Sequence, residues 1–175
     1  MAFDIRVPDV TFKVRREITE APGFEWYDLK SQEVFEGKRV VIFSLPGAFT
    51  PTCSSTHLPG FEMAYEDLKD KGIDEVYCLS VNDAFVMNAW AKDQKLEYVK
   101  VIPDGSGRFT RGMGMLVRKD PEDFGYRSWR YAAHIEDCVV KKMWVEEGKM
   151  DDCPTDPYGA TNPQEILEDL QNVIK

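Results

Sequence analysis

"RVVIFSLPGAFTPTCSSTHLPGFEMAYEDLKDKG", residues 39–72, sets a short run of branched apolar residues against a long segment of helical period, with Cys53 at the seam. The run "RVVIFSL" is bounded and rich in β-branched and aromatic residues, which predicts a buried strand. From Ser54 to Lys71 the apolar positions Leu58, Phe61, Tyr65 and Leu68 recur every three or four residues, and Gly72 closes the pattern. That period predicts an amphipathic helix with a glycine C-cap. The segment between them, "PGAFTPTC", is therefore a strand-to-helix junction, the place in an α/β unit where a thiol is most easily made reactive.

Working outward, "DEVYCLSV" (74–81) reads as a second buried strand, and "NDAFVMNAWAKD" (82–93) as a helix capped by Asn82 or Asp83. "YVKVI" (98–102) predicts a third strand, closed by the turn "PDGSG" at 103–107. Upstream, Ser31 in "DLKSQEVFEGKR" is a plausible cap for a single helical turn ending at Gly37. Downstream, "YAAHIEDCVVKKMWV" (131–145) predicts a hairpin around Glu136 to Cys138. Asn162 and Pro163 suit the cap and first turn of a last helix, "QEILEDLQNVIK". This order predicts an α/β fold, a three-layer sandwich with a mixed central sheet.

The chain of 175 residues is 43% hydrophobic, enough for one sizeable core and too short for two, so residues 1–175 are expected to form one domain. No apolar run approaches the roughly 18 residues of a membrane span, and "MAFDIRVPDV" lacks a basic-then-apolar leader. With 31 acidic against 22 basic residues the net charge is -9, which repels phosphate backbones and anionic lipid, so neither nucleic acid nor membrane is an expected partner. Cys53, Cys78, Cys138 and Cys153 are widely spaced without any CxxC pair, which fits a reducing, cytoplasmic setting with free thiols.

A helix N-terminus points unpaired N–H groups and the positive end of its dipole at the first turn, which favours a thiolate over a thiol at Cys53. The same donors can hold an anion-like or peroxide oxygen beside the sulfur. Thr50, three residues before Cys53, has a hydroxyl within about one helical turn of the sulfur, and Pro46 and Pro51 restrict the loop around it. The bland alternative is that Cys53 merely packs. Cys53 and His57, four apart, could also serve a metal or a Cys-His pair, but only two histidines exist in the chain, and no metal or other cofactor is expected. His57 is expected to pack or hydrogen-bond near the pocket.

"PGAFTPTC" contains the PxxxTxxC pattern of the peroxiredoxins at Pro46, Thr50 and Cys53. Its extension "FSLPGAFTPTCSSTHLPGF" resembles the peroxiredoxin-five subfamily, which includes plant type II and bacterial hybrid-type enzymes. "SVNDAFVMNAW", "PDGSGRFTRGMGM" and "RSWRY" resemble further family segments in the same order, so the likeness spans nearly the whole chain. The resemblance implies a thioredoxin-like fold and a thiol-dependent peroxidase of hydrogen peroxide and small alkyl hydroperoxides. Cys53 would be the peroxidatic cysteine, oxidised to sulfenic acid; Thr50 would hydrogen-bond sulfur and peroxide, and Pro46 would shield the pocket. Arg130, by its place in "RSWRY", would supply the guanidinium, with Arg127 as the alternative.

Cys78 stands where plant type II relatives carry a resolving cysteine, and Cys153 near the region where animal relatives carry theirs. Cys78 reads equally as a core residue on a strand, whereas Cys153, in "DDCPTDPYG", is expected in a mobile, more accessible loop. Glutathione, glutaredoxin or thioredoxin are the implied reductants, and a homodimer through loops beside the site is implied by the same resemblance. A redox sensor oxidised at Cys53 without turnover is the alternative from another functional class.

Overall fold

The computed structural model describes residues 5–173. Its centre is a six-stranded mixed sheet, in the order β1-β10-β9-β4-β5-β6, where β1 is Ile5–Arg6, β4 Arg39–Ser44, β5 Glu75–Ser80, β6 Lys100–Pro103, β9 Tyr131–Glu136 and β10 Val139–Val145. The strands β4, β5 and β6 run parallel, while β9 is antiparallel to both β4 and β10. Alternation along each strand divides its side chains between two cores. On one face Val41, Phe43, Val76, Cys78 and Ala132 meet Leu58, Phe61 and Leu68 of α2 (Leu58–Asp70), Met87 and Trp90 of α3 (Ala84–Asp93), and Ile166 and Leu170 of α5 (Pro163–Val173). On the other, Val40, Ile42, Tyr77, Leu79, Tyr131 and Ile135 meet Phe35 of α1 (Ser31–Phe35) and Phe109 of α4 (Arg108–Gly112). The mixed sheet between these two layers is the thioredoxin-like sandwich expected from the sequence.

Several local expectations need amendment. Residues 11–30, to which the sequence reading assigns no strand, form a hairpin of β2 (Thr11–Glu17) with β3 (Phe24–Lys30), whose side chains are mostly exposed or half-exposed. A second hairpin, β7 (Leu116–Lys119) with β8 (Gly125–Ser128), also covers the second face. Ser31 begins α1 but does not cap it; its hydroxyl accepts from the Val10 N–H at 2.7 Å and ties the chain entry down. Asp83 caps α3 by accepting from the Val86 N–H at 2.9 Å, which frees Asn82 for another task. Asn162 accepts from the Gln164 N–H at 2.9 Å, as expected of the α5 cap, and the last two residues assigned to that helix, 174–175, lie outside the described residues. At the β9–β10 turn Asp137 and Cys138 both adopt left-handed φ values, 47° and 66°, the geometry that a tight two-residue hairpin requires. Among the described residues no helix is long and apolar enough to cross a membrane.

Candidate active site

β4 ends at Ser44, and the chain crosses the junction into a helix that opens at Pro51, where its fixed φ and missing N–H cost nothing. Ser54 N–H already bonds to the Thr50 carbonyl at 3.0 Å, so Cys53 lies in the first turn. Residues Cys53–His57 then widen into a π-turn, in which the Leu58 N–H reaches back five residues to the Cys53 carbonyl. Such turns recur at functional sites because they shift side-chain direction without ending the helix. Here the turn carries both Cys53 and His57 inward, leaving the sulfur-bearing residue 1% exposed and the imidazole fully buried.

The junction loop is held from behind by Asn82, whose carbonyl oxygen accepts from the Ser80 hydroxyl at 2.6 Å and the Ala48 N–H at 3.0 Å. Arg127 donates to the Pro46 carbonyl at 3.2 Å, and a Cβ at Gly47 would meet its Nη1, so any larger residue there would have to displace this guanidinium. Thr50 donates its hydroxyl hydrogen to the Gly47 carbonyl at 2.7 Å rather than to sulfur, which fixes the oxygen with its lone pairs open. Phe49, between them, takes a left-handed φ of 62° and stands exposed. The two sequence candidates for the cation separate cleanly: Arg127 fastens the loop backbone, whereas Arg130 reaches the thiol.

Arg130, at the entry of β9, is 1% exposed and directs Nη2 at Cys53 Sγ from 3.6 Å. The same nitrogen donates to both carboxylate oxygens of Asp156 at 2.7 and 2.9 Å, while Nη1 lies 2.9 Å from His57 Nδ1. Burying a guanidinium costs several kcal/mol unless partners compensate. Burial alone would lower the pKa of Arg130, but the charges of Cys53 and Asp156 outweigh it and hold the group above its ordinary value. Against the His57 ring lie Phe43 and Phe61, themselves stacked at 4.0 Å, and the Tyr158 ring, 5.1 Å from His57 and beneath the Arg130 guanidinium at 5.8 Å. Burial, then the neighbouring Arg130 cation, push the His57 imidazole well below its usual range.

The Redoxin family matches residues 6–157. A peroxiredoxin of Rhizobium etli is 57% identical over 98% of this chain and 97% of its own. The hybrid peroxiredoxin hyPrx5 of Haemophilus influenzae is 46% identical over 94% of this chain and 64% of its own length. Among solved structures, the Plasmodium falciparum antioxidant protein, a 1-Cys peroxiredoxin, superposes with a TM-score of 0.91 at 33% identity, covering 97% of this chain and 99% of that one. The chain belongs to the peroxiredoxin family. Its activity is that of a thiol peroxidase.

In this peroxiredoxin all four cysteines are free and buried, and the sheet divides them. Cys78 shares the core of Cys53, and its backbone pairs with Phe43 on one side and Val101 on the other, in the middle of the sheet. Burial, reinforced by the charge of Cys53, pushes the Cys78 thiol well above its usual value. Cys153 and Cys138 belong to the opposite core. Cys153 is more exposed than Cys78, 6% against 0%, but the expectation of a mobile, accessible loop is corrected: it is buried, and the segment is tied down on both sides. On one side Asp152 binds Arg118 at 2.7 Å and the Asp120 N–H at 3.0 Å. On the other, the buried Glu146 carboxylate accepts from Gly159, Ala160 and Thr161.

Asp156 is not among the residues singled out from the sequence, and His57 is expected from it only to pack or hydrogen-bond near the pocket. His57 lies within "CSSTHLPGF", next to the cysteine motif, where its four-residue spacing from Cys53 is the available signal, whereas Asp156 stands in a polar segment, "CPTDPYG", that carries no motif of its own.

Proposed function

We propose that Cys53 is the peroxidatic residue and that Arg130, Thr50 and Pro46 form the site around it, with hydrogen peroxide and small alkyl hydroperoxides as substrates. The sulfur lone pair forms an S–O bond as the O–O bond breaks; the departing hydroxide or alkoxide takes a proton, leaving Cys53 sulfenic acid and water or an alcohol. The observation that carries this reading is the buried guanidinium 3.6 Å from Sγ, a fixed positive charge where negative charge builds on sulfur and oxygen during attack. Unpaired N–H groups of the helix's first turn, after Pro51, add further donors near the sulfur. A sulfur only 1% exposed admits compact oxidants more readily than bulky ones, which favours small hydroperoxides.

For recycling, we favour an external thiol such as glutathione, delivered directly or by a glutaredoxin, over thioredoxin. One thiol condenses with the sulfenic acid to a mixed disulfide and water; a second displaces it and restores Cys53. The opposite-face burial of Cys153 and the mid-sheet position of Cys78 both speak against an intramolecular partner, since either would need local unfolding to reach Cys53. Free thiols point to a reducing compartment such as the cytoplasm. Exposed Phe49, Phe85 and Tyr126 offer apolar contact area for a homodimer beside the site.

The test is peroxide consumption over many turnovers with glutathione and glutaredoxin or with thioredoxin, together with non-reducing mass mapping after one equivalent of peroxide. Sustained turnover with glutathione and a sulfenate or glutathione adduct at Cys53 are expected. A Cys53–Cys78 or Cys53–Cys153 link would overturn the external route, and oxidation that stops after one equivalent with every reductant would make the chain a sensor rather than a catalyst.

A further inference from the structure

Arg130 is gripped at two nitrogens by two different kinds of acceptor. Asp156 holds Nη2, the nitrogen that also faces Cys53, and comes from a loop residue that is 43% exposed. On its own this is a hold at one point, about which the guanidinium plane can pivot. The second hold is His57 Nδ1 on Nη1 at 2.9 Å. Because arginine can only donate, Nδ1 must be the bare, accepting nitrogen and the ring must be neutral with its hydrogen on Nε2. Nε2 is buried without a hydrogen-bond partner among the described residues, so the ring's hydrogen bond is the one with Arg130. A polar ring left half-satisfied in an aromatic nest of Phe43, Phe61 and Tyr158 is an expensive choice if only packing were required.

We propose that His57 is a positioning residue of the peroxidase reaction: its Nδ1 fixes the plane of the Arg130 guanidinium so that Nη2 stays aimed at the Cys53 sulfur and the oxygen it attacks. The π-turn explains how one short segment does both jobs. Cys53 and His57 are its first and last residues, so the nucleophile and the orienter of its cation move as a unit. This inference rests on the reading of Cys53 and Arg130 given above, and deepens it.

The test compares His57→Asn with His57→Leu. Asparagine places its carbonyl oxygen where Nδ1 stood and can accept from Nη1; leucine fills the nest and cannot. The readout is the second-order rate of Cys53 oxidation by hydrogen peroxide in a single turnover, with thermal unfolding recorded in parallel. A misplacement of about 1 Å in a catalytic group can cost on the order of 100-fold. His57→Leu is accordingly expected to slow oxidation about 10- to 100-fold, with His57→Asn within about fivefold of the native rate. If leucine does not fold, His57→Phe, which keeps a ring in the nest without an acceptor, takes its place. Equal rates for the acceptor and non-acceptor variants, whether both native or both slow, would overturn the proposal. A native chain that fails to react with peroxide would instead overturn the underlying assignment of Cys53.

Discussion

Cys53 and Cys153 are nearly equally hidden, 1% and 6% exposed, yet they sit on opposite faces of one sheet in different chemical worlds. Cys53 lies in the first turn of a helix, with a guanidinium 3.6 Å away that is itself oriented by a carboxylate and an imidazole. Cys153 has the Thr155 hydroxyl at 3.5 Å and an apolar wall. Exposure therefore does not separate the proposed peroxidatic thiol from Cys153; the placement of positive charge does. The loops on either side teach the same lesson, since the polar, proline-containing segment around Cys153 is fastened by Asp152 and Glu146 as firmly as many helices.

The comparison breaks most directly at the two sulfurs. Cys53→Ser should abolish peroxide reduction, a drop on the order of 10⁴-fold or more, as expected for loss of a nucleophile. Cys153→Ser should leave the single-turnover oxidation rate within about twofold, measured by stopped-flow mixing with hydrogen peroxide, because Cys153 lies across the sheet from Cys53. A large loss from the second change would erase the distinction.

Next in size is the cation. Arg130→Met keeps the buried volume and removes the charge, and should slow oxidation of Cys53 about 100- to 1000-fold, the range found when one preorganised donor is lost. The fold should survive, because the abandoned Asp156 carboxylate is 43% exposed and can be hydrated, a point that circular dichroism and thermal unfolding check. A near-native rate would shift the role to Arg127, whose observed work is to hold the Pro46 carbonyl.

The smallest effect concerns acid. His57 is held well below its usual pKa by burial and by Arg130, so the folded chain stays neutral there while the unfolded chain gains a proton as pH falls through about 6.5. Stability must then decline below that pH, by at most about 1.4 kcal/mol per unit from this residue, and the contribution vanishes above it. Tm measured from pH 7 to 5 should fall less steeply in His57→Asn than in the native chain. His134, also lowered by burial, acts equally in both and cancels from the difference. Identical slopes would mean that His57 can charge within the fold, contrary to its tie with Arg130.

Much of this molecule was legible in one dimension because the relevant physics is local. Bounded apolar runs marked β4 and β5, which are buried on both faces of the sheet, while one-sided apolar periodicity and capping residues marked α2 and α3. The hairpin of β2 and β3 escaped because most of its residues are exposed or half-exposed, which removes the apolar alternation that marks a strand. The π-turn escaped because five residues of unusual register have no composition of their own.

The sequence by itself determined that a cysteine stands where a strand yields to a helix, because capping, proline placement and the helix dipole all act within a few residues. Which arginine serves it, which carboxylate and imidazole hold that arginine, and which of the remaining thiols lie across the sheet were decided only by the tertiary structure. Arg130 meets His57 and Cys53 from 73 and 77 residues away, and Asp156 from 26, distances along the chain that no local pattern spans. Charge acts through space, and only folding brings these groups within its reach.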